Sequence, residues 1–369
     1  MYEWHWAHYL SELESAGVRI IDCNPNRILK KDGLPSENAE VLKDLVISLK
    51  KKIRGNDSVL FFGAQARDDN LDPSVIKLMQ GMGIICANIC VDGFFEHIHV
   101  KEIGKYFDLN WVTHYNALSI SKYGCKVLYM PMAANPKFFS PRSKHKEKAI
   151  AFVGSNYGVR SWYLSGLEEA GLKIKVRGKG WLKKVGDNEN KIKNKNSVND
   201  RTKLFLKLIS FSCGRKIVLS GIKKRILSSC YSNRYLSNAD VGGELSLSEI
   251  VDFYGNCIMS LGISEVHNTY VLKKPVYQYH LRDFECPMIG CAHLVRRCKE
   301  LEESFEDGKE ILFYDSMEEC IDKAKFYLND SREAELLKIG SNARARSEKE
   351  HSWSKRFEKL CKNIGIKWK

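Results

Sequence analysis

At 369 residues with 44% hydrophobic side chains, the chain is long enough for two ordinary domains, each with its own core. It contains no apolar run of about eighteen residues, so no membrane-spanning helix is expected, and the amphipathic opening MYEWHWAHYL does not read as a signal peptide. The net charge of +14 is concentrated: residues 173–235 carry 18 Lys and Arg against three acids, and the rest is close to neutral.

Residues 2–16 read as a helix, with Trp4, Ala7, His8, Leu10 and Leu13 at helical spacing and Gly17 to end it. A strand over 18–22 follows, then a helix over 37–54, a strand over 58–63, a helix over 73–82 and a strand over 84–91. That strand runs into Asp92 and Gly93, with Glu96, His97 and His99 beyond it. Further strands over 111–113 and 127–129 flank a helix over 117–123. Such alternation makes a parallel sheet the economical answer. Asp92, His97 and His99 lie just past a strand end, where an acid or base would belong, although such residues are more often caps or surface groups.

The polar residues 141–148 suit a linker, and a second domain opens with the strand AIAFVG at 149. Ser155, Asn156, Tyr157 and Gly158 follow, then Arg160 in the first turn of a helix reaching 170. A strand–glycine–helix passage presents backbone N–H groups and a positive helix end to a phosphate. Gly154, Ser155 and Arg160 are therefore candidates for a diphosphate contact, although one glycine at such a turn is often only structural. A strand over 173–176 and the run Gly178-Lys179-Gly180-Trp181 complete this unit.

Residues 183–200 are rich in Lys and Asn and read as a loop, and 201–229 mix apolar and basic residues as two helices broken near Gly214. This segment has three readings: a solvated helical flap, adhesion of 183–235 to an anionic membrane surface, or nucleic-acid binding. No recognised nucleic-acid motif accompanies the charge. A helix over 245–254 and a strand over 258–262 come next, and the stretch 281–315 reads helix, strand, helix, strand, with its second helix over 299–307. Arg282 and Glu285 lie three apart, so they share a helical face at the carboxyl edge of such a sheet. A Glu there can accept both hydroxyls of a ribose; the plain alternative is an ordinary surface ion pair. Helices over 316–328, 332–346 and 351–360 close the chain.

The twelve cysteines are scattered, and neither Cys86 with Cys90 nor Cys286 with Cys291 has a second pair at zinc spacing. Free thiols in a reducing cytosol are expected. No P-loop, His-Glu-x-x-His pattern, nucleophile elbow or dinucleotide fingerprint is present.

The wording RDFECPMIG, GKEILFYDSMEEC, KFYLND and HSWSKRF resembles the spore-maturation CgeB-like glycosyltransferases, relatives of the GT-B nucleotide-sugar enzymes. YMPMAANP and FVGSNYGVR extend the likeness to nearly all of the chain except about 182–236. The resemblance implies an α/β fold of GT-B type, two Rossmann-like domains with parallel sheets facing a central cleft. The N-terminal, acceptor-side domain would be 1–140, the linker 141–148 and the nucleotide-sugar domain 149–350, with a last helix in 351–369 crossing back. Compared with the family, the chain lacks the first strand and its glycine-bearing loop.

By the same resemblance, the activity is transfer of a sugar from a nucleotide-diphosphate-sugar donor to a glycan or lipid-linked acceptor in cell-surface polysaccharide synthesis, with no metal or cofactor. The place is then the cytoplasm, and the charge concentrated in 173–235, not the resemblance, is the ground for expecting the chain at the inner face of the membrane. Glu285 is then assigned to the ribose, and Gly154, Ser155, Arg160 and Arg282 to the diphosphate. Tyr254 and His280 are assigned to the donor pocket, and Asp92 and His97 to catalysis. Many retaining GT-B enzymes carry another glutamate eight positions before the ribose one; here that position is Tyr277, so retention is expected by analogy alone. The rival readings are a catalytically degenerate nucleotide-sugar-binding protein and a nucleic-acid-binding protein using the basic insertion.

Overall fold

The computed structural model describes residues 2–21, 35–55, 57–64, 66–91, 96–143, 145–182, 198–226 and 236–368; for 2, 64, 96–97, 198–201 and 203 it describes the backbone alone. The chain divides into two compact units. One comprises Tyr9–Met132 and Trp353–Lys369, the other Met1–His8 and Ala133–Ser352.

The first unit is built on four strands, β1 (Leu60–Ala64), β2 (Ile85–Cys90), β3 (Leu109–Val112) and β4 (Val127–Tyr129), parallel and in that spatial order. Nearly every residue of β2 and β3 is buried, as expected of parallel strands covered on both faces. Helix Pro73–Gly81 starts where Asp72 accepts the Ser74 N–H at 2.8 Å and Pro73 occupies the first turn, which lacks N–H partners in any case. Tyr9, Phe62, Trp111, Trp353 and Phe357 pack as a knot of aromatic rings, with the Trp111 indole N–H donating to the Met130 carbonyl at 2.7 Å. Helix Trp353–Asn363 belongs to this unit. The Glu12 carboxylate accepts the N–H groups of Trp353 (3.2 Å) and Ser354 (2.9 Å), a cap supplied from 341 residues away.

The strand expected over 18–22 is not formed: residues 18–21 take no regular structure, and Asp22 lies outside the described residues. Val18 and Arg19 are exposed, and Arg19 turns its guanidinium to the Lys52 carbonyl at 2.9 Å and to Asp57 instead of entering a ladder.

The second unit carries six parallel strands: β5 (Glu147–Val153), β6 (Ile174–Arg177), β7 (Asp240–Gly242), β8 (Cys257–Gly262), β9 (Ala292–Arg296) and β10 (Leu312–Tyr314). They lie in the order β10-β9-β8-β5-β6-β7, so the chain runs outward one way from β5 and then returns to build outward from β8. This is the doubly wound arrangement, with its switch point between β5 and β8. Ile150, Phe152, Ile258, Met259, Leu261 and Leu294 form the centre of the core under flanking helices. Helix Leu247–Gly255 is fixed by a capping box in which Ser246 and Glu249 bond reciprocally.

Two expectations are corrected here. The insertion forms helices Val198–Ile209 and Ser212–Ile226, and the break falls at Ser210 and Phe211 rather than at Gly214. Gly214 sits inside the second helix because a Cβ there would lie 2.0 Å from the Leu208 carbonyl oxygen, so glycine permits the two helices to touch. The helix expected over 299–307 is a single turn, Lys299–Glu302; beyond it the chain loops so that Glu302, Asp307 and Asp315 converge on the Arg297 guanidinium. Every cysteine among the described residues is free.

Candidate functional site

The carboxyl ends of β5 and β8 flank the switch point, where an open parallel sheet offers a crevice to a ligand. On the β5 side the chain turns at Gly154, whose N–H donates to the Arg177 carbonyl (2.9 Å) and whose carbonyl accepts the Trp181 indole N–H (2.6 Å). Gly178 lies so close beneath that a Cβ would come within 2.3 Å of the Gly154 oxygen, and its φ of +139° also demands glycine. The loop ends in helix Arg160–Glu169, whose N-cap position is Val159, so no side chain caps the first turn. Ser155 is exposed, and its carbonyl accepts Nη1 of Arg160 at 3.0 Å. The Arg160 guanidinium stacks 4.0 Å from the Tyr157 ring centroid. Gly154, Ser155 and Arg160 thus share one loop with an uncapped helix start, the arrangement that receives anions.

On the β8 side, residues 263–281 lead from the strand into helix Arg282–Ile289. His267 holds φ at +49°, and a Cβ on Gly158 would lie 3.0 Å from the His267 carbonyl oxygen, so the two loops abut. Glu285 lies in the first turn of that helix and is wholly buried. Its Oε2 accepts Arg282 Nη1, and its Oε1 has no hydrogen-bond partner. His8 Nε2 lies 3.5 Å from Oε1, on an imidazole that is itself fully buried and hydrogen-bonded at neither nitrogen. Burial pushes the His8 pKa down to about 4, against the pull of Glu285, so the ring is neutral at pH 7.

Asp283 presents a contrast. Its Oδ1 accepts His293 Nε2–H at 2.9 Å, its Oδ2 accepts the His280 N–H at 2.7 Å, and His293 Nδ1 meets Ser260 Oγ at 2.8 Å. Burial alone would raise the Asp283 carboxyl; the His293 hydrogen bond and charge outweigh it and hold it below the ordinary range. A Ser–His–Asp chain invites comparison with a nucleophilic triad, but all three side chains are buried and Ser260 sits within β8. Its work is to fix the start of helix Arg282–Ile289. Gly262 makes room for it, since a Cβ there would meet Asp283 at 2.8 Å and His293 at 2.9 Å.

Buried polar side chains are ordinarily paired. In this unit Ser264 Oγ, Glu265 Oε2, His280 Nε2, Glu285 Oε1, Arg296 Nε and both nitrogens of His8 are without a hydrogen-bond partner, as are Asn156 Oδ1 and Ser347 Oγ. Glu265, raised by burial, receives the Tyr163 hydroxyl on its other oxygen at 2.9 Å. Arg296 donates to the Tyr277 hydroxyl at 2.8 Å, which accounts for the tyrosine eight positions before Glu285. Arg160 and Arg282 both act electrostatically on His280, which burial lowers, and Arg160 also acts on Glu265 and Asp283.

The fold therefore brings Gly154, Ser155, Arg160, His280, Arg282 and Glu285 to the ends of β5 and β8. Tyr254 stands beneath them: it is buried, and its hydroxyl accepts the Val153 N–H at 3.0 Å, tying helix Leu247–Gly255 to the end of β5. Asp92 lies outside the described residues. His97 lies in helix Glu96–His99 of the other unit, where only its backbone is described, and His99 is half-buried there. Sequence reasoning missed His8, which counts only as part of an apolar helix face, and Glu265 and Arg296, whose places directly after β8 and at the end of β9 were the available signal. Among the described residues no three His, Cys, Asp or Glu side chains are grouped to hold a metal ion. The shallow surface depressions lined by Glu306, Glu310 and Arg346 lie by the entry to β10, at the opposite edge of the sheet.

Residues 201–362 match the sequence model of a family described as glycosyl transferase-like. A search of curated protein sequences finds no match. Among solved structures, a glycosyltransferase from Rickettsia africae superposes with a TM-score of 0.52 at 10% identity, covering 96% of this chain and 86% of that one. Anabaena HepE, in complex with UDP, gives 0.51 at 9% identity, covering 90% and 84%. Sucrose-phosphate synthase from Thermosynechococcus elongatus gives 0.50 at 10% identity, covering 89% and 79%. At these identities the likeness is one of fold: two parallel α/β units of the GT-B glycosyltransferase type.

Proposed function

We propose that the chain is a glycosyltransferase that moves a sugar from a nucleotide-diphosphate donor to a glycan or lipid-linked acceptor in cell-surface polysaccharide synthesis. The observation that carries the reading is Glu285: a buried carboxylate at the switch point, one oxygen held by Arg282 and the other without a hydrogen-bond partner. A carboxylate oxygen in that state is matched by a ligand hydroxyl, and a ribose supplies two. Arg160, Arg282 and the uncapped start of helix Arg160–Glu169 would take the diphosphate, stabilising the charge that grows on it as the glycosidic bond breaks. Arg and helix-end N–H groups suffice for that without a metal.

Glu285 is sealed from solvent in this conformation, so donor entry requires His8 to leave Oε1. Asp92 and His97 remain the proposed acid/base groups on the acceptor side. The fold-level support comes from the glycosyltransferase-like match over 201–362 and from the GT-B neighbours, one of them a UDP complex.

The test is a thermal-shift panel of nucleoside diphosphates and their sugar conjugates, followed by donor turnover with the conjugate that shifts most. One conjugate raising the melting temperature and being consumed supports the reading, and the anomeric configuration of its product reports whether transfer retains or inverts. Binding without consumption would favour the degenerate binding protein. No shift with any conjugate would overturn the assignment.

A further inference from the structure

Helices Val198–Ile209 and Ser212–Ile226, joined through Ser210 and Phe211, pack on each other, and the second also packs on the Thr269–Val271 turn in the loop after β8. The pair therefore stands beside the carboxyl edge that carries the candidate site. Its composition is unusual for a solvated flap. Seven of the fifteen exposed large apolar side chains among the described residues fall in these 29 residues: Leu204, Phe205, Leu206, Ile209, Leu219, Ile222 and Ile226. A soluble surface scatters such side chains singly, and a concentration of them marks an interaction site.

On the second helix the exposed residues form a stripe. Leu219, Ile222 and Ile226 recur at i, i+3 and i+7, and are 55%, 54% and 77% exposed. At 100° per residue, Arg215 falls within the same face, and Lys216 and Lys223 lie along one margin of it. On the first helix the exposed Lys207 follows Leu204, Phe205 and Leu206 directly. The pair holds eight Lys and Arg against one acid, Asp200, and no carboxylate pairs with Lys207, Arg215, Lys216, Lys223, Lys224 or Arg225 among the described residues.

We infer that this helix pair is the docking face of the chain for an anionic lipid surface, with Leu219, Ile222 and Ile226 entering the acyl boundary and the flanking cations meeting headgroup phosphates. Charge alone would suit a nucleic acid as well, but that partner would leave leucine and isoleucine side chains in water, and the exposed set holds one aromatic ring to stack on a base. An aliphatic stripe edged by cations is the pattern of a helix lying in a membrane interface. No helix among the described residues is long and apolar enough to cross a membrane, so the contact is one of lying on the surface. The inference stands apart from the reading of the sugar-nucleotide site. Taken with it, the docked pair would place the β8 loop, and the donor, next to an acceptor carried in the lipid layer.

The experiment is flotation of the full chain with phosphatidylcholine vesicles, with and without phosphatidylglycerol, at low and high salt. The wild type is expected to float only with phosphatidylglycerol and to be released by salt. Combining Leu219→Ser, Ile222→Ser and Ile226→Ser should weaken binding by about a hundredfold, and Lys216→Glu with Lys223→Glu by about thirtyfold. The melting shift with the panel conjugate that shifts the wild type most, unchanged in both variants, would show that the fold and nucleotide site are intact; should the serine variant lose its melting transition, the charge variant decides. Three results overturn the inference: no flotation of the wild type, flotation unaffected by the serine changes, or preference for duplex RNA over vesicles at the same salt. A wild type that floats as expected but shifts with no conjugate of the nucleotide-sugar panel would instead count against the site reading alone.

Discussion

Replacing Glu285 by glutamine is the sharpest test of the site, because it changes one charge and almost no shape. Glutamine keeps an oxygen for Arg282 and holds the helix turn, and weakening a charge-assisted bond to a partly exposed guanidinium costs about 1–2 kcal/mol of stability. The effect on the ligand should be larger. A hydrogen bond from a donor hydroxyl to a charged carboxylate contributes about 1.5–3 kcal/mol, which is about 10- to 150-fold in Kd. With ligand at about a hundred times its Kd, the wild type gains about 2.7 kcal/mol by linkage; after a thirtyfold loss of affinity the same concentration gives about 0.9 kcal/mol. At about 2–4 °C per kcal/mol, the ligand-induced shift should fall from about 5–11 °C to about 2–4 °C. The assay is a melting curve with and without the nucleotide-sugar, for both proteins. Equal shifts in wild type and Glu285→Gln, with both folded, would refute the placing of the ribose on this carboxylate.

Three further outcomes follow from the geometry. His8 titrates at about 4 in the fold against about 6.5 in the unfolded chain, so the unfolded state binds the extra proton between these values and stability falls as pH drops through that window. The loss attributable to His8 is about 2 kcal/mol between pH 7 and pH 5, and denaturant melts of His8→Gln should show that part of the pH slope removed; an unchanged slope would show that His8 is not buried neutral. Gly178→Ala forces a Cβ to within 2.3 Å of the Gly154 oxygen at a φ of +139°, so it should cost about 3 kcal/mol or more in urea unfolding, and an unaltered midpoint would contradict the close approach of the two loops. Ser260→Ala should lower stability by about 1–2 kcal/mol and leave donor turnover within about threefold, whereas a true nucleophile would lose activity by about a thousandfold or more.

Much of the fold was legible because it rests on local signals that agree with one another. Buried strands such as ICANIC and CIMSLG, glycine turns and helix caps each announce one element, and their alternation announces a parallel sheet. The expected strand at 18–22 shows the limit: Val18, Ile20 and Ile21 have strand propensity, but a strand also needs a neighbour to pair with, and the sequence does not say whether one is present. Gly214 shows another, since glycine within a basic apolar run reads as a break when it is a contact point between helices. In the site, Arg282 and Glu285 were readable from their spacing and Gly154 with Arg160 from the strand–turn–helix passage. His8 was not readable. It reaches Glu285 across 277 residues, and nothing in a helical periodicity separates a histidine that packs from one that faces a carboxylate.

What separates structure from function at this edge is whether buried polarity is satisfied. Asp283, His293 and Ser260 are as buried as Glu285, yet each finds partners within hydrogen-bond reach, and the unit is more rigid for it. Arg344 likewise meets the carbonyls of Phe139 and Met288 and the carboxylate of Glu348. Glu285 Oε1, Glu265 Oε2 and Arg296 Nε do not find partners, and leaving such a group buried and unpaired costs about 1–3 kcal/mol each. These three lie at the ends of β8 and β9 and in the loop and helix after β8, near the uncapped helix after β5, where the proposed polar, anionic ligand would reach them. A ligand that supplied hydroxyls to Glu285 and phosphate oxygens to Arg160 would recover that free energy on binding.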